Sequence, residues 1–303
     1  MLFFKPIEIE DKETITAYTF PSGLPNCDFA FANMCSWRFL YQSEYAVQDR
    51  FLFIRFYFEE KGRKHLAYMI PVGDGDLQQA INHIEKDAEA LGHALLILGI
   101  TSENKQKIEV LFPDQFVFIL ERDYFDYIYL REDIIRLTGK KFQPKRNHIN
   151  QFNKLYDYTY LPITKDIIPD CLQLGQIWYE VNNGDENNED LMHERRSMTF
   201  AMAHFDELGL LGGAIAVDNK IVAFTYGSPV NSRTFCVHVE KADIRFTGVF
   251  SVICQEFAKH IPHQYVYINR EEDLGIPGLR QSKLSCHPHI LLEKNSALKR
   301  RKN

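Results

Sequence analysis

Tyr265-Val-Tyr-Ile-Asn-Arg-Glu-Glu-Asp-Leu-Gly-Ile-Pro-Gly-Leu-Arg-Gln-Ser-Lys283 opens as the end of a β-strand, then sets three acids, two glycines, a proline and three cations into a short stretch. An ordinary connecting loop has no need of that mixture. Either it builds a site, or it makes a very particular turn, with Gly275 and Gly278 supplying left-handed backbone, Asp273 capping a short helix and Arg280 pairing with Glu271 or Glu272. A second unusual stretch lies upstream, Gly139-Lys-Lys-Phe-Gln-Pro-Lys-Arg-Asn-His-Ile-Asn-Gln-Phe152. It reads as an amphipathic helix with Pro144 in its first turn and Ile149 and Phe152 inward. The two segments are expected to face one another across one cleft.

Working outward, 303 residues exceed one compact domain of ordinary size and suggest two of about 150 residues each. With 45% hydrophobic and 13% aromatic residues the chain can bury a sizeable core. A formal net charge of -6 argues against bulk electrostatic coating of nucleic acid, although charge can still gather on one face. From Ile134 to Tyr156 there is no acid, while Arg136, Lys140, Lys141, Lys145, Arg146 and Lys154 are basic. The end of the chain, from Lys299 to Lys302, is also basic and reads as solvated. Six scattered cysteines without a Cys-x-x-Cys pair, and no charged-then-apolar amino terminus, point to free thiols in a reducing cytoplasm. The apolar runs are too short to span a bilayer, so membrane contact would be peripheral.

Residues 1 to 50 carry aromatic packing residues such as Trp37 and Tyr41 and no chemistry that can be read. Beyond them, Phe51 to Phe58 and His65 to Val72 read as a hairpin, followed by a loop Gly73-Asp-Gly-Asp76 and a helix with Leu77, Ala80, Ile81, Ile84, Ala88 and Leu91 on one face. Strands at Ala94 to Ile100, Phe116 to Leu120 and Tyr127 to Leu130 complete the half. The second half repeats this order: helices after Thr164 and, past a polar loop at Asn182 to Asn188, around Leu191 to Phe205; a hairpin across Asp218, Asn219 and Lys220; a strand Thr234 to Val239; a helix Val249 to Ile261; and a strand Tyr265 to Ile268. The fold class is therefore α/β, two tandem domains with mixed, mostly antiparallel sheets flanked by helices. The expected division is residues 1–135, a basic connecting segment 136–160, and residues 161–303.

This order of elements resembles the GCN5-related acetyltransferase fold, present twice. Gly139-Lys-Lys-Phe-x-x-Lys-Arg-Asn-x-Ile-Asn-x-Phe152 and Asn269-x-Glu-Glu-Asp-Leu-Gly-x-x-Gly-Leu-Arg-x-x-Lys283 resemble the catalytic domain of lysylphosphatidylglycerol synthases, and more closely its soluble relatives without a characterised reaction. The resemblance implies a tandem acetyltransferase-like fold. It also implies movement of an aminoacyl group from charged transfer RNA onto a lipid hydroxyl, as Fem-type enzymes move one onto a peptidoglycan amine.

Such a donor is already an activated ester, so positioning supplies much of the rate. What remains is a positive partner for the developing oxyanion and a base for the nucleophile. Lys283, Arg280 and Lys145 are the candidate positive partners for oxyanion or phosphate, and Glu272, Asp273 and Glu240 the candidate bases or amine anchors. Lys140, Lys141, Lys145, Arg146, Asn147, Asn150, Asn269, Gly275 and Gly278 are expected to bind substrate. A coenzyme A site would rest on Arg245 and Gly248 in Arg245-Phe-Thr-Gly-Val-Phe250, where a phenylalanine replaces the last small residue of the usual phosphate loop. The Asp74 and Asp76 loop of the first half would repel a pyrophosphate. His260, His263, Cys286, His287 and His289 offer metal-ligand types without a complete set of four, and no metal site is read. The leading expectation is an aminoacyl-tRNA-dependent acyltransferase with a lipid, peptide or small-molecule acceptor. The competing ones are a coenzyme A-dependent N-acetyltransferase and a non-catalytic binder of RNA or another anion.

Overall fold

A computed structural model describes residues 2–182 and 188–300 of the chain. In chain order the first strands are β1 Lys5–Pro6, β2 Glu44–Gln48, β3 Phe51–Glu60, β4 Arg63–Met69, β5 Val72–Gly73, β6 Leu96–Thr101, β7 Phe116–Leu120 and β8 Asp126–Leu130. They are followed by β9 Tyr158–Pro162, β10 Leu211–Val217, β11 Lys220–Pro229, β12 Thr234–Ala242, β13 Tyr267–Asn269, β14 Ile290–Leu292 and β15 Lys294–Lys299.

One compact unit comprises residues 1–126, 272–280 and 291–303. Its sheet runs β1-β2-β3-β4-β6-β15-β7, with β5 beside β3. The expected hairpin is β3 and β4, turned at Lys61 and Gly62, both with positive φ. After it the chain crosses through the helix Leu77–Ala90 and returns as β6, parallel to β4. That helix starts where expected because the Asp76 carboxylate accepts from the amides of Gln78 and Gln79, so the acid read as repelling phosphate is an N-cap. It buries Ala80, Ile81, Ile84 and Ala88. Leu91, one residue past its end, turns outward.

The other unit comprises residues 127–271 and 281–290, with a sheet in the order β14-β8-β13-β12-β11-β10-β9. The hairpin β10–β11 turns at Asp218 and Asn219, both with positive φ. After β12 the helix Val249–His260 leads into β13, parallel to β12. Both units therefore contain the same motif, an antiparallel pair followed by a helix and one parallel strand, which is the internal repeat expected from the order of elements. The strand Thr234 to Val239 is longer than expected and runs to Ala242, because β11 extends far enough to pair with it there. Most of the polar loop Asn182 to Asn188 lies outside the described residues. Its last member, Asn188, caps the helix Glu189–Ala203 by accepting from the Leu191 amide.

The basic stretch forms the helix Gln143–Leu155, with Pro144 in the first turn and Ile149 and Phe152 buried. Those two side chains pack with Val249, Val252 and Ile253 of the Val249–His260 helix and with Ile215 and Val222 of the sheet. Each fully buried side chain of this size contributes roughly 1.5–3 kcal/mol. The expected division into continuous halves gives way to interleaved segments, because β15 pairs with both β6 and β7 in the first unit. For the same reason Lys299 is not part of a solvated tail. Its ammonium meets Glu85 at 2.9 Å and lies over the rings of Phe112 and Phe116.

Candidate functional site

In the second unit β12 and β13 share backbone bonds only at Thr234–Tyr267, Phe235–Ile268 and Cys236–Asn269, and then part. In open α/β sheets ligands bind beyond the carboxyl ends of parallel strands, where neighbours diverge. Side chains occupy that notch here. Arg270, the first residue after β13, donates to Glu240 Oε1 of β12 at 2.8 Å, with side-chain exposures of 14% and 12%. Burial is the largest influence on Arg270 and works against its charge, but Glu240 together with Cys254, Cys286 and Tyr129 outweighs it and holds the guanidinium protonated. Cys286 Sγ lies 3.7 Å from Arg270, and burial pushes the Cys254 thiol up to about 12, with Arg270 and Lys145 opposing. Lys145 of the basic helix is thus close enough to act on the Cys254 thiol.

The remaining basic-segment residues divide by role. Arg146 donates to the carbonyls of Leu137 and Gly139, closing the turn before its helix. Asn147 accepts from Gln143 along the helix surface. Lys141 pairs with Asp133 at 3.9 Å. Lys140 and Asn150 are exposed.

In the second unit the motif Asn269–Lys283 contributes further contacts. Asn269 is buried, and its Oδ1 accepts from the Glu271 amide at 2.7 Å. Lys283 is 8% exposed and its ammonium donates to the Arg270 carbonyl at 2.6 Å, beneath a Tyr129 hydroxyl that donates to the Lys283 carbonyl at 2.8 Å. Lys283 therefore pins the main chain at the residue that reaches Glu240.

In the first unit, Asp273 is fully buried and receives Arg280 through two nitrogens, at 2.9 and 2.7 Å, and Arg122 at 3.0 Å. Arg280 reaches Asp123 at 2.6 Å as well. The sequence paired Arg280 with Glu271 or Glu272; its partners are Asp273 and Asp123, because Glu272 is engaged elsewhere. Asp273 also accepts from the Gly275 amide, so it closes a turn two residues on instead of capping a helix as expected, the next helix starting only at Pro277. Gly275 has φ 74, while a side chain at Gly278 would meet nothing within 4 Å.

Glu272 belongs to a buried cluster that sequence reasoning missed. The Lys294 ammonium, 3% exposed, contacts Glu272 at 2.6 Å, Asp126 at 2.7 Å and Asp28 at 2.8 Å. Cys27 donates its amide to Asp126 at 2.8 Å. One cation among three carboxylates leaves excess negative charge, and burial together with Glu272 and Asp28 raises the Asp126 carboxyl to about 7 against the pull of Lys294. Cys27 and Asp28 come from the segment where no chemistry could be read. No local signal marks them, because their partners are over 90 residues away.

The segment read for coenzyme A does not match a pyrophosphate cradle. Gly248 has φ 92, and a side chain there would lie 2.4 Å from the His148 carbonyl oxygen, so this glycine serves the crossing of two helices. The amides of Val249, Ser251 and Val252 donate to Phe246 and Gly248 carbonyls. The Arg245 guanidinium is bound by Asp243. Of the histidines and cysteine weighed for metal, His260 stacks on Tyr160 and His287 contacts the Lys141 carbonyl.

Comparison with known proteins places this geometry in context. Residues 22–297 match the family described as phosphatidylglycerol lysyltransferase, C-terminal. A conserved protein of unknown function from Bacteroides thetaiotaomicron VPI-5482 is 49% identical, with a TM-score of 0.95 over 99% of this chain and 100% of that one. L-PGS from Bacillus licheniformis shares the fold at 14% identity, with a TM-score of 0.66 over 99% of this chain and 94% of that one. An uncharacterized protein of Mycoplasmoides gallisepticum is 22% identical over 179 residues, 59% of this chain; the match spans only 57% of that protein's length.

Proposed function

Because this chain belongs to the phosphatidylglycerol lysyltransferase C-terminal family, whose fold is that of acyltransferases of the lysylphosphatidylglycerol synthase and Fem type, we propose that it moves an aminoacyl group from aminoacyl-tRNA to a hydroxyl or amine. The acceptor is a lipid, a peptide or a small molecule. The observation that carries the reading is the Glu240–Arg270 pair at the parting of β12 and β13. A carboxylate there can anchor the donor's α-ammonium or take the acceptor's proton, and the guanidinium beside it can balance charge on the reacting carbonyl. Lys145, with the exposed Lys140 and Lys141, offers positive charge to the phosphates of a transfer RNA end without making the whole surface basic. A cytoplasmic location, where aminoacyl-tRNA is made, goes with this reading. Among the described residues no helix is long and apolar enough to cross a membrane, so a lipid acceptor would be met at the surface.

The aminoacyl donor is favoured over acetyl coenzyme A by the occupied loop at Arg245 to Phe250. The test is to incubate the purified chain with transfer RNA charged with labelled amino acids and, separately, with labelled acetyl coenzyme A. Each is offered phosphatidylglycerol vesicles, peptides and polyamines. Label is expected to leave the transfer RNA only when an acceptor is present, and Glu240→Gln is expected to slow it by about 100-fold, the scale of a lost general base. Stable aminoacyl-tRNA with every acceptor, alongside acetyl transfer from coenzyme A, would reverse the choice of donor.

A further inference from the structure

The second unit carries an aligned group that the reading above does not use. Ser228 Oγ of β11 lies 2.7 Å from His238 Nε2 of β12, and His238 Nδ1 lies 2.9 Å from Glu271 Oε1 just beyond β13. A carboxylate can only accept, so Nδ1 carries the ring proton and Nε2 is left to accept from the serine hydroxyl. An imidazole oriented in this way is what makes a hydroxyl nucleophilic.

Two separate backbone devices aim these side chains at each other. The register of β11 against β12 shifts so that Tyr226 faces Val239 and Gly227 faces Val237, which leaves His238 as the extra residue of a bulge. The bulge closes only over glycine, since a side chain at Gly227 would lie 1.9 Å from the Cys236 carbonyl oxygen. Glu271 holds a left-handed φ of 59, fixed by the Asn269 carboxamide on its amide and by the Tyr127 amide on its carbonyl. A residue other than glycine keeps that conformation only where its surroundings impose it. Ser228 is 3% exposed and the His238 side chain 6%, while the Glu271 side chain is 22% exposed, so the line runs inward from solvent.

We propose that Ser228 is a nucleophile, His238 its base and Glu271 the acid that orients the base, and that the acyl group rests on Ser228 between donor and acceptor. This rests on the acyltransferase reading. Ser228 Oγ attacks the donor's ester carbonyl while its proton passes to His238 Nε2. The bond to the donor hydroxyl then breaks, and that hydroxyl takes the proton from His238. In the second half the acceptor hydroxyl or amine attacks the acyl-serine and gives its proton to His238. Ser228 leaves with that proton, and the net change is one acyl exchange without oxidation or reduction.

The full chain treated with a fluorophosphonate is expected to gain one adduct, located on the Ser228 peptide by mass spectrometry. With p-nitrophenyl acetate it is expected to give a burst of one p-nitrophenol per chain. Ser228→Ala and His238→Ala should abolish both, and Ser228→Cys should restore a burst as a thioester. Circular dichroism and urea unfolding confirm that each variant is folded. A folded Ser228→Ala that keeps the wild-type burst, or an adduct on another residue, overturns the proposal. So does a bound zinc lost in His238→Ala without any adduct, because Cys236, His238 and Glu271 also lie within 4.8 Å of one another. Aminoacyl transfer that continues at full rate in Ser228→Ala removes the covalent route and leaves the acyltransferase reading standing. An adduct and burst without any aminoacyl-tRNA turnover does the reverse.

Discussion

The Arg270 guanidinium donates to Glu240 Oε1 at 2.8 Å, and this ion pair joins β12 to the chain leaving β13 just where their backbone bonds stop. Arg270→Ala leaves Glu240 with an uncompensated, largely buried charge, and roughly 3–5 kcal/mol of stability is expected to go with it. Replacing both residues, Glu240→Gln with Arg270→Gln, should cost less than the sum of the single changes. Urea denaturation of the four proteins of the cycle measures the coupling. Strict additivity would mean that the pair does not hold the notch.

Asp126 ties stability to pH with a definite sign. Its carboxyl is raised from 3.8 to about 7, first by burial. Between about pH 4 and 7 the folded chain keeps a proton that the unfolded chain has released, so this group's contribution is present at low pH and lost as pH rises through that window. Relative to wild type, Asp126→Asn is expected to gain stability from pH 4.5 to 7.5, read as a converging or crossing melting temperature. Parallel curves would place the extra proton elsewhere in the cluster.

Gly248→Ala separates packing from phosphate binding. A methyl group 2.4 Å from the His148 carbonyl, at φ 92, must push the Gln143–Leu155 and Val249–His260 helices apart. Lowered thermal stability is expected in buffer alone, and coenzyme A should not shift the wild-type melting temperature. A variant as stable as wild type that loses a coenzyme A-dependent shift would restore the phosphate-loop role.

Asp273→Ala removes the acceptor that gathers Arg122 and Arg280. A loss of about 2–3 kcal/mol is expected, the scale for removing one partner of buried, charged hydrogen bonds. Arg280→Ala should move stability in the same direction, and the residual activity of the folded fraction should match wild type. An Arg280→Ala protein with full stability and no transfer would return Arg280 to the chemistry.

Periodic elements were legible in the sequence. The helix Leu77–Ala90, the hairpin turned at Asp218 and Asn219, and the Gln143–Leu155 helix with Ile149 and Phe152 inward all follow from spacing, caps and turn residues, which act within a few positions. The motif Asn269–Lys283 was legible as unusual but not in its partners. Its acids find Arg122, His238 and Lys294, which strand order brings near and no spacing announces. The alignment of Ser228, His238 and Glu271 was invisible for the same reason, although Glu271 lies in the motif itself. They sit on three strands or strand ends, and the bulge that aims His238 leaves only a glycine in the sequence. Gly248 shows the converse: spacing offered only a degraded phosphate-loop pattern there, and could not announce the crossing of two helices that the glycine serves.

The place of β15 between β6 and β7 has a consequence for synthesis. While the chain is still emerging from the ribosome, the first sheet has two open edges where its missing strand belongs, and Asp28, Asp126 and Glu272 lack the ammonium of Lys294. The half translated first is thus completed last. A messenger truncated just before residue 294 would release a product with a finished second sheet and a first one still exposing unpaired backbone, the kind of edge that quality-control proteases and aggregating partners recognise.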